Sequence, residues 1–281
     1  MRFHLLADRK FRRGFHLKGL NSLRDGHAPI RTFAFKKDVP AWFVCQWNSK
    51  YNLKEGNFEK NKTSFRLFDE SKSLTVQKDG EMIFTLDASK EYDAPRAPSQ
   101  PWPHLLIEQE ITENNKIFGL KKLVCKASFC LQELENFMGE QEEEHHTTQF
   151  VWVITLKDEN PSSPSYNHFI WVIFPIFDSR YEFSPLFMNQ DMALPDGEFI
   201  YCFAGKSILP HSVRDKKWTK VSVDLMGYIP TILAAAQSKG YMLGTKMEDL
   251  TVSSTNMGFE ITGTFACTMR VKDVTITAQR R

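Results

Sequence analysis

The sequence predicts an all-β protein: a two-sheet antiparallel β-sandwich with one short helix near residues 229–238. Three observations carry this. Short apolar runs of strand length recur along the chain, broken by Gly, Pro, Asn and Asp. The 281 residues include 23 Phe, 6 Trp and 7 Tyr, and aromatic rings suit a pleated surface. No alternation of strand and helix appears, which argues against a parallel-sheet enzyme. At 42% hydrophobic residues the chain can bury a large core, and sandwiches of this length often form one domain. The expectation is one domain over 1–281, with residues 1–25 as a peripheral arm.

The elements follow in order. Ile30–Phe35 and Ala41–Gln46 are the first strands, separated by turn-forming Asp38 and Pro40. Ser64–Phe68, Ser73–Gln77 and Glu81–Leu86 make a meander, with Lys78, Asp79 and Gly80 as a hairpin turn. A proline-rich connection covers residues 92–103, because proline fixes φ and removes a donor. His104–Ile111 and Leu123–Cys130 come next, then a helical turn over Leu131–Met138. Gln149–Leu156 and His168–Phe177 are apolar at nearly every position, as suits central strands. Glu198–Ala204 and Lys220–Val223 continue the sheets.

In Ile229–Ser238, residues Ile229, Ile232, Leu233 and Ala236 share one helical stripe. Pro230 lies in the first turn and Gly240 serves as the stop. Leu250–Ser253, Gly258–Ile261 and Thr264–Ile276 close the sandwich. In the last run Phe265, Cys267, Met269 and Val271 alternate with smaller or polar residues, giving one buried and one wet face.

Charge and cysteine content narrow the function. The net charge is only +2 and the basic residues are scattered, apart from Arg9, Lys10, Arg12 and Arg13, so no nucleic-acid partner is expected. No apolar run reaches membrane-spanning length, so no membrane partner is expected either. The five cysteines include no C-x-x-C pair and sit in apolar contexts. With no apolar leader after Met1, this points to a reducing, cytoplasmic setting. No cofactor or catalytic metal is expected. A structural calcium stays open, because loop oxygen ligands leave no spacing to read. The oligomeric state is not legible.

WTKVSVDL (Trp218–Leu225), GFEITGTF (Gly258–Phe265) and VKDVTI (Val271–Ile276) resemble the jelly-roll sandwiches of carbohydrate-active proteins, the concanavalin-like and galactose-binding-like groups. The resemblance covers about the last 65 residues. It implies a sugar partner held on a concave sheet face or loop rim, and it transfers no catalytic residue. Two departures are the helix after Leu225 and the length of the chain.

Three constellations are candidates. On a strand, His104, Leu106, Glu108 and Glu110 share one face, after the proline-flanked Trp102. Residues i and i+2 lie about 6.5–7 Å apart, within the range of glycosidase carboxyl pairs. Glu108, Glu110 and His104 are therefore the acid/base candidates, and Trp102 a stacking ring. The competing reading is a solvated strand face. Asp178 and Arg180 end the strongest strand and would pair to anchor a substrate, or simply close the strand end. In residues 41–51, Trp47 and Gln46 would stack on a pyranose and read its hydroxyls, against plain core and edge packing. Weaker signals are Tyr201, Lys206 and His211 as lyase groups, and Glu142–Glu144 with His145 and His146 as a metal site. A solvated acidic loop is the simpler account of the latter.

The leading expectation is carbohydrate binding or processing by the sandwich. A glycoside hydrolase or polysaccharide lyase acting through carboxylates and His is one alternative. A non-catalytic structural or protein-interaction sandwich is the other.

Overall fold

The computed structural model describes residues 1–21, 28–35, 38–139, 145–191 and 197–281. In chain order the strands are β1 (Arg2–His4), β2 (Gly14–Leu17), β3 (Arg31–Ala34), β4 (Trp42–Cys45), β5 (Asn57–Lys60), β6 (Ser64–Phe68), β7 (Lys72–Gln77), β8 (Met82–Asp87), β9 (His104–Glu110), β10 (Leu120–Asn136), β11 (Thr148–Asp158), β12 (Phe169–Asp178), β13 (Phe187–Asp191), β14 (Glu198–Cys202), β15 (Thr219–Asp224), β16 (Leu250–Ile261) and β17 (Phe265–Arg280). Among the described residues two α-helices join them, α1 (Gly205–Ile208) and α2 (Ile229–Ser238).

The strands form two sheets. An eight-stranded sheet runs β15-β10-β17-β8-β7-β6-β5, with β1 added alongside β17. A nine-stranded sheet runs β13-β14-β12-β11-β16-β9-β4-β2-β3. Their facing sides meet in one apolar core. Phe150 of the larger sheet packs edge-on against Phe84, at 5.3 Å between centroids, and against Phe129 at 6.0 Å, both from the smaller sheet. This is the all-β sandwich expected from the sequence.

Strand parity sorts the side chains. On β11, Phe150, Trp152, Ile154 and Leu156 enter the core. The intervening Gln149, Val151, Val153 and Thr155 face the other way. On β17, Phe265, Cys267, Met269 and Val271 are buried, as their alternation predicts. Beyond Asp273, whose φ is +59°, the buried set becomes Val274, Ile276 and Ala278. A bulge there, opposite Lys126 to Ser128, shifts the phase by one residue and keeps apolar groups inward.

Several expectations need correcting. The segment expected as a helical turn over 131–138 continues β10 to Asn136, because it pairs with β17 as far as Phe265. Cross-strand pairing over 17 residues overrides a local helical preference. Leu250–Ser253 and Gly258–Ile261 are one strand, β16, bulged beside Thr155. The pairing is not wholly antiparallel, since β2·β4 and β12·β14 are parallel. A second, four-residue helix, α1, joins the expected one. Residues 1–21 are no arm: β1 and β2 pair within the sheets, and Phe11, Phe15 and Leu17 are buried.

Helix α2 matches its periodicity, with Ile229, Ile232, Leu233 and Ala236 buried. Gly258 has φ +151°, and a Cβ there would lie 2.0 Å from the Leu105 carbonyl oxygen. Only glycine lets β16 and β9 approach so closely at this point.

Candidate functional site

The outward side of the nine-stranded sheet collects the polar and ring-bearing groups. Ladder register places Asp178, Gln149, Glu260 and His104 in one row across β12, β11, β16 and β9. Their chain neighbours Phe150, Phe259 and Leu105 point into the core. In the next row Val151, Gly258, Leu106 and Cys45 carry short or apolar side chains. They are buried although they face away from the other sheet. A further row brings Val153, Asn256, Glu108, Phe43 and His16 side by side. Taller side chains flank this low middle row on both sides.

The first row is the densest cluster. His104 Nε2 stands 3.8 Å from Glu260 Oε2, and Gln149 Nε2 donates to the same oxygen at 3.3 Å. Trp102 stacks on His104 with centroids 5.8 Å apart at 29°. Trp47 meets the imidazole edge-on at 5.7 Å, and its backbone carbonyl accepts from His104 N at 3.0 Å. Arg96 lies over the Trp102 ring, 5.0 Å from its centroid. Trp47 Nε1 and His104 Nδ1 are buried with no hydrogen-bond partner. Buried polar groups in native proteins are nearly always satisfied by protein, ordered water or ligand, so each of these nitrogens has room for one more partner in its bonding.

The loop carrying Trp47 is fixed from below. Gln46 is fully buried; its amide donates to Lys18 O and Asn52 Oδ1 and accepts from Leu53 N. The expected hydroxyl-reading role is therefore withdrawn, because every one of these bonds holds backbone or loop. Lys72, from the other sheet, reaches Asp69 at 2.6 Å, Ser49 Oγ at 2.6 Å and Tyr51 O at 2.7 Å. Glu91 accepts from Ser49 Oγ at 2.6 Å and from Ser71 Oγ and Lys50 N. This buried network latches residues 49–51, next to Trp47, onto the β6–β7 hairpin.

The structure places the other predicted residues as follows. Glu108 lies on the same face as His104 but four residues along, about 13 Å away by strand rise. It is paired with the largely buried Lys18 at 2.6 Å. Burial alone would lower the Lys18 pKa, but the Glu108 carboxylate and its hydrogen bond outweigh that and raise it. Cys45 lies under the pair, its thiol pushed well up by burial. Glu110 is exposed at the end of β9, opposite Ser254.

Asp178 ends β12 in the same row as Glu260, two strands away. Its oxygens accept from Arg180 Nε at 3.0 Å, Arg180 Nη2 at 2.7 Å, Arg180 N at 3.0 Å and Thr147 Oγ1 at 2.9 Å. The hydrogen bond to Asp178 raises the Arg180 pKa against burial. The pair closes the strand end as one locked unit.

Tyr201, Lys206 and His211 occupy separate settings, against Phe203, over Phe183 and beside Asp215 respectively. Glu142–Glu144 lie outside the described residues; His145 is exposed and His146 buried. No cluster of potential metal ligands occurs among the described residues.

Sequence reasoning missed Glu260 and Gln149. Flanking Phe259 and Ile261 already mark Glu260 as outward-facing by parity. What the sequence lacks is the register that sets it between Gln149 and His104.

No family model matches the chain, and no curated protein does. Among solved structures, the chain is similar to a family 12 xyloglucanase from Bacillus licheniformis, at 12% identity over 81% of this chain and 98% of that one, with a TM-score of 0.49. It is also similar to the endoglucanase cel12A from Rhodothermus marinus, at 12% identity over 80% and 97%, with a TM-score of 0.42. The endoglucanase 3 of Trichoderma harzianum, from family GH12, shares 10% identity over 86% and 91%, with a TM-score of 0.39.

Proposed function

We propose that the outward side of the nine-stranded sheet binds a carbohydrate chain, centred on Trp47, Trp102, His104 and Glu260. One observation carries this reading: two indole rings, an imidazole and a carboxylate stand together on the outward side of one sheet. A pyranose offers both things such a site asks for, an apolar C–H face to stack on and hydroxyls that donate and accept. A flat, equatorially linked glycan fits best, because it presents successive ring faces to a sheet surface that carries indole rings. Three outward carboxylates, Glu260, Glu108 and Glu110, oppose a phosphodiester backbone, so nucleic acid is disfavoured.

Binding is favoured over cleavage by what already holds two of the other carboxylates. Lys18 engages Glu108, and Arg180 with Thr147 engages Asp178. The test is calorimetric titration with cellohexaose, xylohexaose and mannohexaose. Saturable binding of one of them, weakened about tenfold or more by Trp47→Ala, is expected. No heat with any of the three, together with a blank glycan array, overturns the reading.

A further inference from the structure

The structure assigns to Gln149 the place of a missing second carboxylate: we infer that it faces Glu260 as half of a hydrolytic pair and keeps a bound glycan intact. The inference rests on the carbohydrate reading above and adds what the site does to its ligand.

Gln149 and Glu260 are directly opposed on neighbouring strands β11 and β16. Their side chains leave the same face and meet, amide nitrogen to carboxylate oxygen, at 3.3 Å. Directly opposed residues have Cβ atoms about 4.5–5.5 Å apart. Glycosidases that work through a covalent intermediate hold two carboxyl groups about 5–5.5 Å apart, one to attack and one to protonate. Gln149 and Glu260 therefore adjoin on one face, with an amide where the second carboxylate of such a pair would stand.

A neutral amide is a poor nucleophile towards the anomeric carbon, and Gln149 instead donates a hydrogen bond to Glu260. Two further carboxylates, Asp178 and Glu108, do not replace it. Asp178 is a strand further from Glu260 and is saturated by Arg180 and Thr147. Glu108 is four residues along and bound to Lys18. The sheet face then holds a polysaccharide without shortening it.

The variant Gln149→Glu supplies the absent group. The introduced carboxylate attacks the anomeric carbon, an ester C–O bond forms as the glycosidic C–O bond breaks, and Glu260 delivers its proton to the departing oxygen. Water then attacks the same carbon and gives its proton to Glu260. The ester bond breaks and the carboxylate is returned.

The experiment incubates the full chain with cellohexaose, xylohexaose and mannohexaose and reads shorter products by mass spectrometry, beside the titrations above. Wild type is expected to bind one hexaose and yield no products. Gln149→Glu is expected to cleave that hexaose, and adding Glu260→Gln is expected to reduce the cleavage about 100-fold or more. Products from wild type overturn the inference, as does a Gln149→Glu chain that binds and melts like wild type but gives none. If Gln149→Glu does not fold, Gln149→Ala decides, with azide and the 2,4-dinitrophenyl β-glycosides of cellobiose, xylobiose and mannobiose. There azide attacks the anomeric carbon and dinitrophenolate leaves. An α-glycosyl azide supports the inference, and its absence overturns it. Failure of wild type to bind any hexaose is a different result, which removes the carbohydrate reading itself.

Discussion

His104 and Glu260 face each other across the β9–β16 pair, Nε2 to Oε2 at 3.8 Å, with indole rings against the imidazole from two directions. His104→Leu keeps the bulk but removes the orphaned Nδ1 and the group beside Glu260. Affinity for the bound hexaose is expected to fall about tenfold, the equivalent of ~1.4 kcal/mol, with the melting temperature held or raised. Titration and thermal unfolding measured side by side check this. Unchanged affinity would place the ligand elsewhere.

Lys72→Met breaks the latch beneath Trp47. It leaves Asp69 and Glu91 buried without their cation, a loss of about 3–5 kcal/mol in unfolding free energy. Urea denaturation reads the loss. Affinity for the hexaose should fall as well, because Ser49 and Tyr51 lose their anchor.

Gly258→Ala drives a methyl group to within 2.0 Å of the Leu105 carbonyl oxygen at a backbone angle that L-residues seldom adopt. A destabilisation of about 2–4 kcal/mol is expected, by forcing β16 and β9 apart. A Gly258→Ala chain as stable as wild type in urea would show that the two strands can separate freely.

The Lys18–Glu108 pair sets an alkaline limit. The folded-state pKa of Lys18 is raised, so its contribution is complete below the unfolded value, about 10.4. It disappears as pH rises through the higher folded value. In Glu108→Gln the carboxylate that raises the value is gone. The drop in melting temperature from pH 9 to pH 11.5 should then be smaller than in wild type, from a lower starting point at pH 9. Parallel curves would show that the pair contributes nothing in this range.

Much of the sandwich is legible because alternation is local. Phe265 to Val271 declare their buried face without reference to any other strand, and α2 announces itself by its stripe and its stop. The face shared by His104 and Glu108 follows from parity alone. What stays hidden is register. Nothing near Gln149 reveals that it meets Glu260, more than a hundred residues away. Gln46 misled for the complementary reason: an amide beside a tryptophan reads as a sugar contact until Asn52, Leu53 and Lys18 are found around it. Bulges are likewise silent, so the phase change at Asp273 and the continuity of β10 through 131–136 emerge only when partners are known.

The two strands nearest the C-terminus lie inside the sheets. β17 separates β10 from β8, and β16 separates β11 from β9. While this chain is being synthesised, residues 1–249 therefore emerge as two half-sheets each, with open inner edges and no centre. Neither layer can close until the ribosome has extruded the β16–β17 hairpin, so the nascent chain should depend on chaperones until then, and removal of that hairpin should leave an insoluble product rather than a smaller folded one.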